Sequence, residues 1–343
     1  MKLPAERLIV VRPDRLGDVI LSLPVIEKLK FHYPSMQISL AVQPWIAPLL
    51  KGQAGVEEVL EIPSSRSKWI HELKSRHFDA ALILQSQRKV TSGIWSAGIP
   101  LRVGPVSKLH TWFYLNQRVR QRRSQVEMHE ALYNLKLLEP LQIKIDPLEE
   151  VAPKIRVQAE GQFLLKTWAE SVGLSLQDSW VVVHPGMGGS AENWPERKYM
   201  ELIDGLVRRG VKVVLSAGTH ESGLARKVSG VHKLPIFGGE KLQPLVALAA
   251  LFEQAKVVVA PSTGPLHLAA AVGTPVVSFY PTIQVQSAKR WGPKPLRPEL
   301  ARVIEAPVSC REKYKCKGRT CKEYPCMDKI SVTSVQEAVF RYL

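Results

Sequence analysis

Residues 260–280 read APSTGPLHLAAAVGTPVVSFY. An apolar run, KVVVAP, leads into Ser262, Thr263 and Gly264, and GPLHLAAAVG then has the composition of a helix. Pro265 fits its first turn, where a missing N–H costs nothing. Gly-Thr-Pro stops it, and PVVSFY follows as a strand. Strand, tight loop, helix and strand form the repeating unit of a parallel sheet covered by helices. The free N–H groups and dipole of such a helix start make an anion site, with diphosphate as the natural guest. His267, one turn in, either donates to a phosphate oxygen or is a satisfied core histidine.

The same alternation extends in both directions. WVVVHPG is a strand entering a glycine loop, PERKYMELIDGLVRRG a helix stopped by Gly210, and VKVVLSAG the next strand. Earlier, RLIVV, MQISLAVQ and DAALILQ are strands separated by helical patterns, and EMHEALYNLKLLEPL is an amphipathic helix. Prolines across 147–156 mark a linker. The reading is α/β: two Rossmann-like doubly wound domains, 1–150 and 151–330, facing a central cleft. A last helix, 331–343, is expected to pack back on the first domain.

At 343 residues the chain can bury two ordinary cores. No apolar run approaches a membrane span and no signal peptide is evident, so a cytoplasmic location is expected. The net charge of +16 is concentrated: residues 62–126 hold twelve Lys/Arg against two acids, and residues 289–322 eleven against three. Such patches suit a polyanionic partner, while single surface cations are ordinary solvation. All four cysteines, Cys310, Cys316, Cys321 and Cys326, fall within seventeen residues. They suit a structural zinc, reduced thiols or a local disulfide, although the spacing lacks paired CxxC units.

Two further strand-to-helix junctions carry candidate chemistry. In VVRPDRLGDVILSLP, Asp18 either caps its helix or serves as a general base, with Arg12 and Arg15 beside it for an acidic ligand. In VVVHPGMGGSAENWPERKY, Gly186, Gly188 and Gly189 permit close backbone approach to a ligand and Ser190 adds a hydroxyl. Neither junction is a P-loop or a GxGxxG fingerprint.

Taken in order, RPDRLGDVILSLP, HPGMGGSAENWP and PSTGPLHLAAAVGTPVVSFYPT resemble glycosyltransferase family 9, the heptosyltransferases of lipopolysaccharide core synthesis. The resemblance spans roughly residues 7–330 and implies a GT-B fold, with an acceptor domain first and a nucleotide-sugar domain second. It implies that Asp18 is the catalytic base of an inverting transfer, with no metal required for catalysis. Gly186, Gly188, Gly189, Ser190, Ser262, Thr263, Gly264, Pro265, Leu266 and His267 would then hold the donor, ADP-heptose by likeness. The acceptor would be a lipid A/core oligosaccharide, met by Arg12, Arg15, Arg66, Lys68, Trp69 and Arg120 at an anionic membrane surface. That places the protein peripherally on the inner face of the inner membrane.

Trp112, Phe113 and Tyr114 either dip into that surface or form a partly buried cluster. Two positions depart from the family pattern: Glu192 stands where many relatives carry Lys or Arg, and Ser262 where many carry Asp. Rival readings are a sugar-nucleotide epimerase of the same architecture, an inactive relative, or a nucleic-acid binder. The last lacks any recognised module, so no nucleic-acid partner is expected.

Overall fold

A computed structural model describes residues 5–106, 109–146, 150–189, 191–239 and 243–343. The chain divides into two compact units, Met1–Arg123 with Glu127–Pro153, and Lys154–Leu343 with Ser124–Val126.

The first unit holds strands β1 (Arg7–Val11), β2 (Gln37–Val42), β3 (Glu58–Glu61), β4 (Ala80–Ile83), β5 (Leu101–Pro105) and β6 (Gln117–Val119). All pair in parallel, in the order β3-β2-β1-β4-β5-β6. The second holds β7 (Trp180–Val183), β8 (Lys212–Ala217), β9 (Ile236–Gly238), β10 (Val257–Val259), β11 (Val276–Tyr280) and β12 (Ala301–Glu305). Its order, β12-β11-β10-β7-β8-β9, is again fully parallel and has the same topology when counted from its own first strand. Central strands such as IVV and WVVV are buried on both faces, hence their unbroken apolar runs. Sequence periodicity did not single out β3, β5, β6, β9 or β12. These are short or edge strands with mixed composition, such as LRVGP and ARVIE.

In each sheet the strand order reverses beside its first strand, between β1 and β4 and between β7 and β10. Connections there leave the sheet in opposite directions, which opens a crevice at the carboxyl edge. The three motif loops follow β1, β7 and β10, so the topology delivers each of them to such a crevice.

The first core closes around Trp69, whose helix (Arg66–Lys74) lies against the helix Arg88–Ser96. A Cβ at Gly93 would come within 2.4 Å of Trp69 Cδ1, so only glycine lets the indole seat. Gly93→Ala should therefore destabilise the first unit by about 1–3 kcal/mol through overpacking, measurable as a lower denaturant midpoint.

The C-terminal helix (Val332–Phe340) corrects one expectation. It buries Val335, Ala338 and Val339 in the core of the second unit rather than that of the first. Its seat is the apolar stripe Tyr199, Leu202, Ile203 and Leu206 of the helix Glu196–Val207. Gly205 on that helix leaves the space that Gln336 fills. Among the described residues no helix is long and apolar enough to cross a membrane.

Candidate active site

In the first unit, β1 is followed at once by Arg12, whose side chain is 1% exposed. A guanidinium cannot be buried alone, and here its donors fan out to four partners. Nε donates to Asp14 Oδ1 at 2.7 Å, Nη2 to Asp18 Oδ1 at 2.6 Å and Nη1 to Asn134 Oδ1 at 2.9 Å. Glu130 Oε1 lies 3.6 Å from Nη2 and also takes an ion pair from Arg123. Asn134 and Glu130, from the helix Glu130–Leu135, are themselves buried, and Asn134 Nδ2 donates to Leu21 O at 3.2 Å.

Three carboxylates thus share two guanidinium groups, Arg12 and Arg123. Burial works against the charge on Arg12, but Asp14, Asp18 and Glu130 outweigh it and hold the proton more tightly than usual. Burial raises the Asp14 pKa to about 6, with Arg12 pulling the other way. Asp18 moves up as well: burial dominates, Arg12 opposes it and the charge of Glu130 adds to it. Asp18 lies in the first turn of the helix Leu16–Ile20, and its carboxylate goes to Arg12. The result is an oriented carboxylate of raised basicity with a 17% exposed side chain, what a general base needs.

A cavity of about 230 Å³ adjoins this loop, lined by Gln43, Pro44, Ile62, Pro63, Ser64, Trp69, Gln87, Lys89 and Val90. Gln43 and Gln87 tie it to the Asp18 loop, both donating to Pro13 O, at 2.7 and 3.1 Å. Trp69 enters this cavity only as a wall. It is a core residue at 1% exposure, its Nε1 donating to Val90 O, so burial limits the acceptor contact expected of it. Arg66 is also largely structural, joining its helix to the next through Ser92 and Ser96. Arg15, Lys68 and Arg120 are exposed.

In the second unit, β7 is followed by buried His184, whose Nδ1 lies 3.0 Å from Ser216 Oγ. Burial lowers its pKa, against the pull of Glu221. Glu221 organises the glycine loop, accepting from Gly188 N at 3.2 Å and Gly218 N at 2.9 Å. A Cβ on Gly186 would fall 2.1 Å from the Glu221 carboxyl carbon, so this glycine makes room for Glu221 rather than for a ligand. Gly188 and Gly189 have φ of +55° and +70° and open space beside them, which leaves their backbone accessible. Ser190 lies outside the described residues.

After β10, Thr263 provides no side-chain cap to the helix Gly264–Ala271, so the N–H groups of its first turn lack the usual capping acceptor. Pro265 contributes no donor, and Leu266 is a core side chain offering only its backbone. His267 is buried with its pKa lowered to about 4 by that burial, so it is neutral at working pH. Its Nδ1 has no hydrogen-bond partner among the described residues. That nitrogen is itself enclosed, so the neutral imidazole stands as a buried side chain behind the helix start. Ser262 is buried beside it.

The ENWP segment is mainly structural. Asn193 Nδ2 donates to Pro185 O and its Oδ1 accepts from Tyr199 OH, both at 2.8 Å, while Trp194 is buried and donates to Ile330 O. The Glu192 backbone N–H donates to Gln286 Oε1 at 3.1 Å.

The cysteines do not assemble a metal centre: among the described residues no three His, Cys, Asp or Glu side chains converge to hold a metal ion. All four are free thiols. Their spacing strings them along one loop, where Cys316 Sγ accepts from Gly318 N at 3.2 Å and Cys326 packs against the second core. Burial, with Cys316 and Cys310 nearby, pushes the Cys326 thiol pKa up.

Sequence reading missed Glu130 and Asn134, the role of Arg123 in pairing with them, and Glu221. The first three lie more than a hundred residues from Arg12, and no local spacing links them to it. Glu221 had a signal: an acid just past the second strand of a Rossmann unit is placed for ribose hydroxyls.

With this geometry in place, comparison with known proteins is informative. The model of "Glycosyltransferase family 9 (heptosyltransferase)" matches residues 66–326. A Haemophilus influenzae protein whose name goes no further than a glycosyltransferase is 33% identical over 303 residues, covering 84% of this chain and 86% of that one. Lipopolysaccharide heptosyltransferase 2 of Escherichia coli is 27% identical over 303 residues, covering 80% and 82%. The solved E. coli ADP-heptose lps heptosyltransferase II superposes with a TM-score of 0.80 at 22% identity, over 98% of both chains.

Proposed function

The chain belongs to glycosyltransferase family 9, and from that premise we propose that it moves heptose from ADP-heptose to a lipopolysaccharide core-type acceptor with inversion at the anomeric carbon. The observation that carries the reading is the placement of all three motif loops at the two topological switch points, with a raised, oriented carboxylate at one and uncapped backbone donors at the other.

The acceptor hydroxyl gives its proton to Asp18 as its oxygen attacks the anomeric carbon. The bond from that carbon to the diphosphate oxygen breaks with its electron pair, and ADP leaves. The transition state is oxocarbenium-like, with charge growing on the diphosphate. Backbone N–H groups of Gly264, Leu266 and Gly189 meet that charge, helped by the dipole of the helix Gly264–Ala271. Glu221 is placed for the ribose hydroxyls. Glu192 brings no cation to the diphosphate, so the backbone donors carry more of that task than in relatives with Lys or Arg there. Arg12 acts on Asp18 and not on the acceptor directly, while Arg15, Lys68 and Arg120 remain exposed for the acceptor's phosphates. Because that acceptor is lipid-linked, the protein works peripherally at the inner face of the inner membrane.

Incubating the protein with a panel of nucleotide sugars and a truncated core glycolipid tests this. The expected result is one heptose added to the acceptor mass, with ADP-heptose preferred. An epimerised donor formed without acceptor, or no transfer from any donor, overturns it.

The base also predicts a pH profile. Asp18 must be ionised to act, and its pKa is raised, so kcat/KM should fall on the acid side at a higher pH than an ordinary carboxylate would give. Glu130→Gln removes a negative charge that favours the proton on Asp18, so the acid limb should move to lower pH. A limb that stays put in this variant contradicts the coupling.

A further inference from the structure

We propose that the outward face of the helix Leu109–Tyr114, with Trp95 and the arginines around it, docks the first unit onto an anionic lipid bilayer. This short helix is built the wrong way round for water. Its polar residues point inward: His110 Nε2 lies 2.8 Å from Ser86 Oγ, and Thr111 is fully buried. Its apolar residues point outward, with Leu109 80%, Phe113 73% and Trp112 54% exposed. Trp95, 51% exposed on the helix Arg88–Ser96, extends the patch through Tyr114, its ring 5.9 Å from that of the tyrosine. Large contiguous exposed apolar side chains mark an interaction surface.

Charge selects the partner. Residues 80–126 contain no acid and eight Lys/Arg. Arg118 stacks 4.9 Å over the Trp112 ring and donates to Trp112 O at 2.6 Å, so cation and aromatic form one feature. Arg88, Lys89, Arg120 and Arg122 are exposed. Tryptophan and phenylalanine with arginine on one face fit the boundary between anionic headgroups and acyl chains. A protein partner would find no hydrogen-bonding pattern on the outward ring face, and a fluid bilayer needs none.

Position gives the patch a purpose. Ser86 follows β4 at the carboxyl edge of the sheet, and the next residue, Gln87, donates to Pro13 O in the Asp18 loop. The lipid-facing helix is thus pinned to the sheet edge that carries Asp18. The use of the patch rests on the transferase reading, but the binding itself does not.

Sedimentation with vesicles lacking any glycolipid tests it. Wild type should bind phosphatidylglycerol-containing vesicles, lose binding as salt rises, and bind phosphatidylcholine vesicles weakly. Trp112→Ser with Phe113→Ser should cut binding to anionic vesicles about tenfold or more, and Arg118→Gln about fivefold. These side chains are exposed, so an unchanged melting temperature is expected to show an intact fold. Asp18→Asn should sediment as wild type, which separates failure of docking from failure of the transferase reading. Absence of wild-type binding, or undiminished binding by the aromatic double variant, overturns the proposal. So does single-stranded RNA displacing the protein from vesicles at matched salt, which assigns the patch to nucleic acid.

Discussion

Asp18→Asn is expected to slow sugar transfer by about 10²–10⁴-fold, the usual contribution of a general base. Asparagine matches the shape of the side chain and keeps an oxygen for Arg12 Nη2, which lies 2.6 Å from Oδ1 in the native site. It cannot take the proton. The substitution also removes one of three carboxylates that share Arg12 and Arg123, so like-charge repulsion falls and the fold should not weaken. ADP affinity should be unchanged, because the donor loops follow β7 and β10 in the other unit. The loss should therefore appear in kcat with KM for donor held. A variant that transfers within a few-fold of wild type would remove Asp18 from the base role.

The second large effect is expected from Arg12→Met. Methionine fills much of the same buried volume but leaves Asp14, Asp18 and Glu130 facing one another without the central cation. Breaking a buried ion network by removing one partner costs about 3–5 kcal/mol. For a unit of this size that corresponds to a melting point lower by roughly 10 °C. Without Arg12 the proton affinity of Asp14 and Asp18 rises further, so the variant should be partly rescued at low pH, where their protonation removes the repulsion. Arg12→Lys should recover part of the stability but little activity, since an ammonium point charge cannot hold Asp14, Asp18 and Asn134 in one planar fork. An Arg12→Met protein as stable as wild type at neutral pH would mean that the network is not structural.

Much of this was legible in the sequence because it is local. A strand, a small-residue loop and a helix start within fifteen residues report their own geometry, and three such junctions in order fixed the architecture and the reaction class. The loops that hold Asp18, Gly188 and the Thr263–Gly264 helix start were legible that way. What was not legible depends on contacts across the chain. Trp69 looks like a surface aromatic among cations, and only Gly93, twenty-four residues on, shows that it is core. The terminal helix carries an apolar face that would suit either unit, and Gly205 with Gln336 decides its seat. Gly186 resembles a ligand-cradling glycine, yet the group it admits is Glu221. His267 could have been charged or neutral until its burial was known.

The central claim is a single displacement in which the hydroxyl activated by Asp18 reaches the anomeric carbon from the face opposite the departing ADP. The anomeric configuration of the transferred sugar, read by NMR on the isolated product, tests it most directly. The account predicts a configuration opposite to that of the donor. A retained configuration would require two successive displacements or attack from the face that ADP leaves, and either would contradict it.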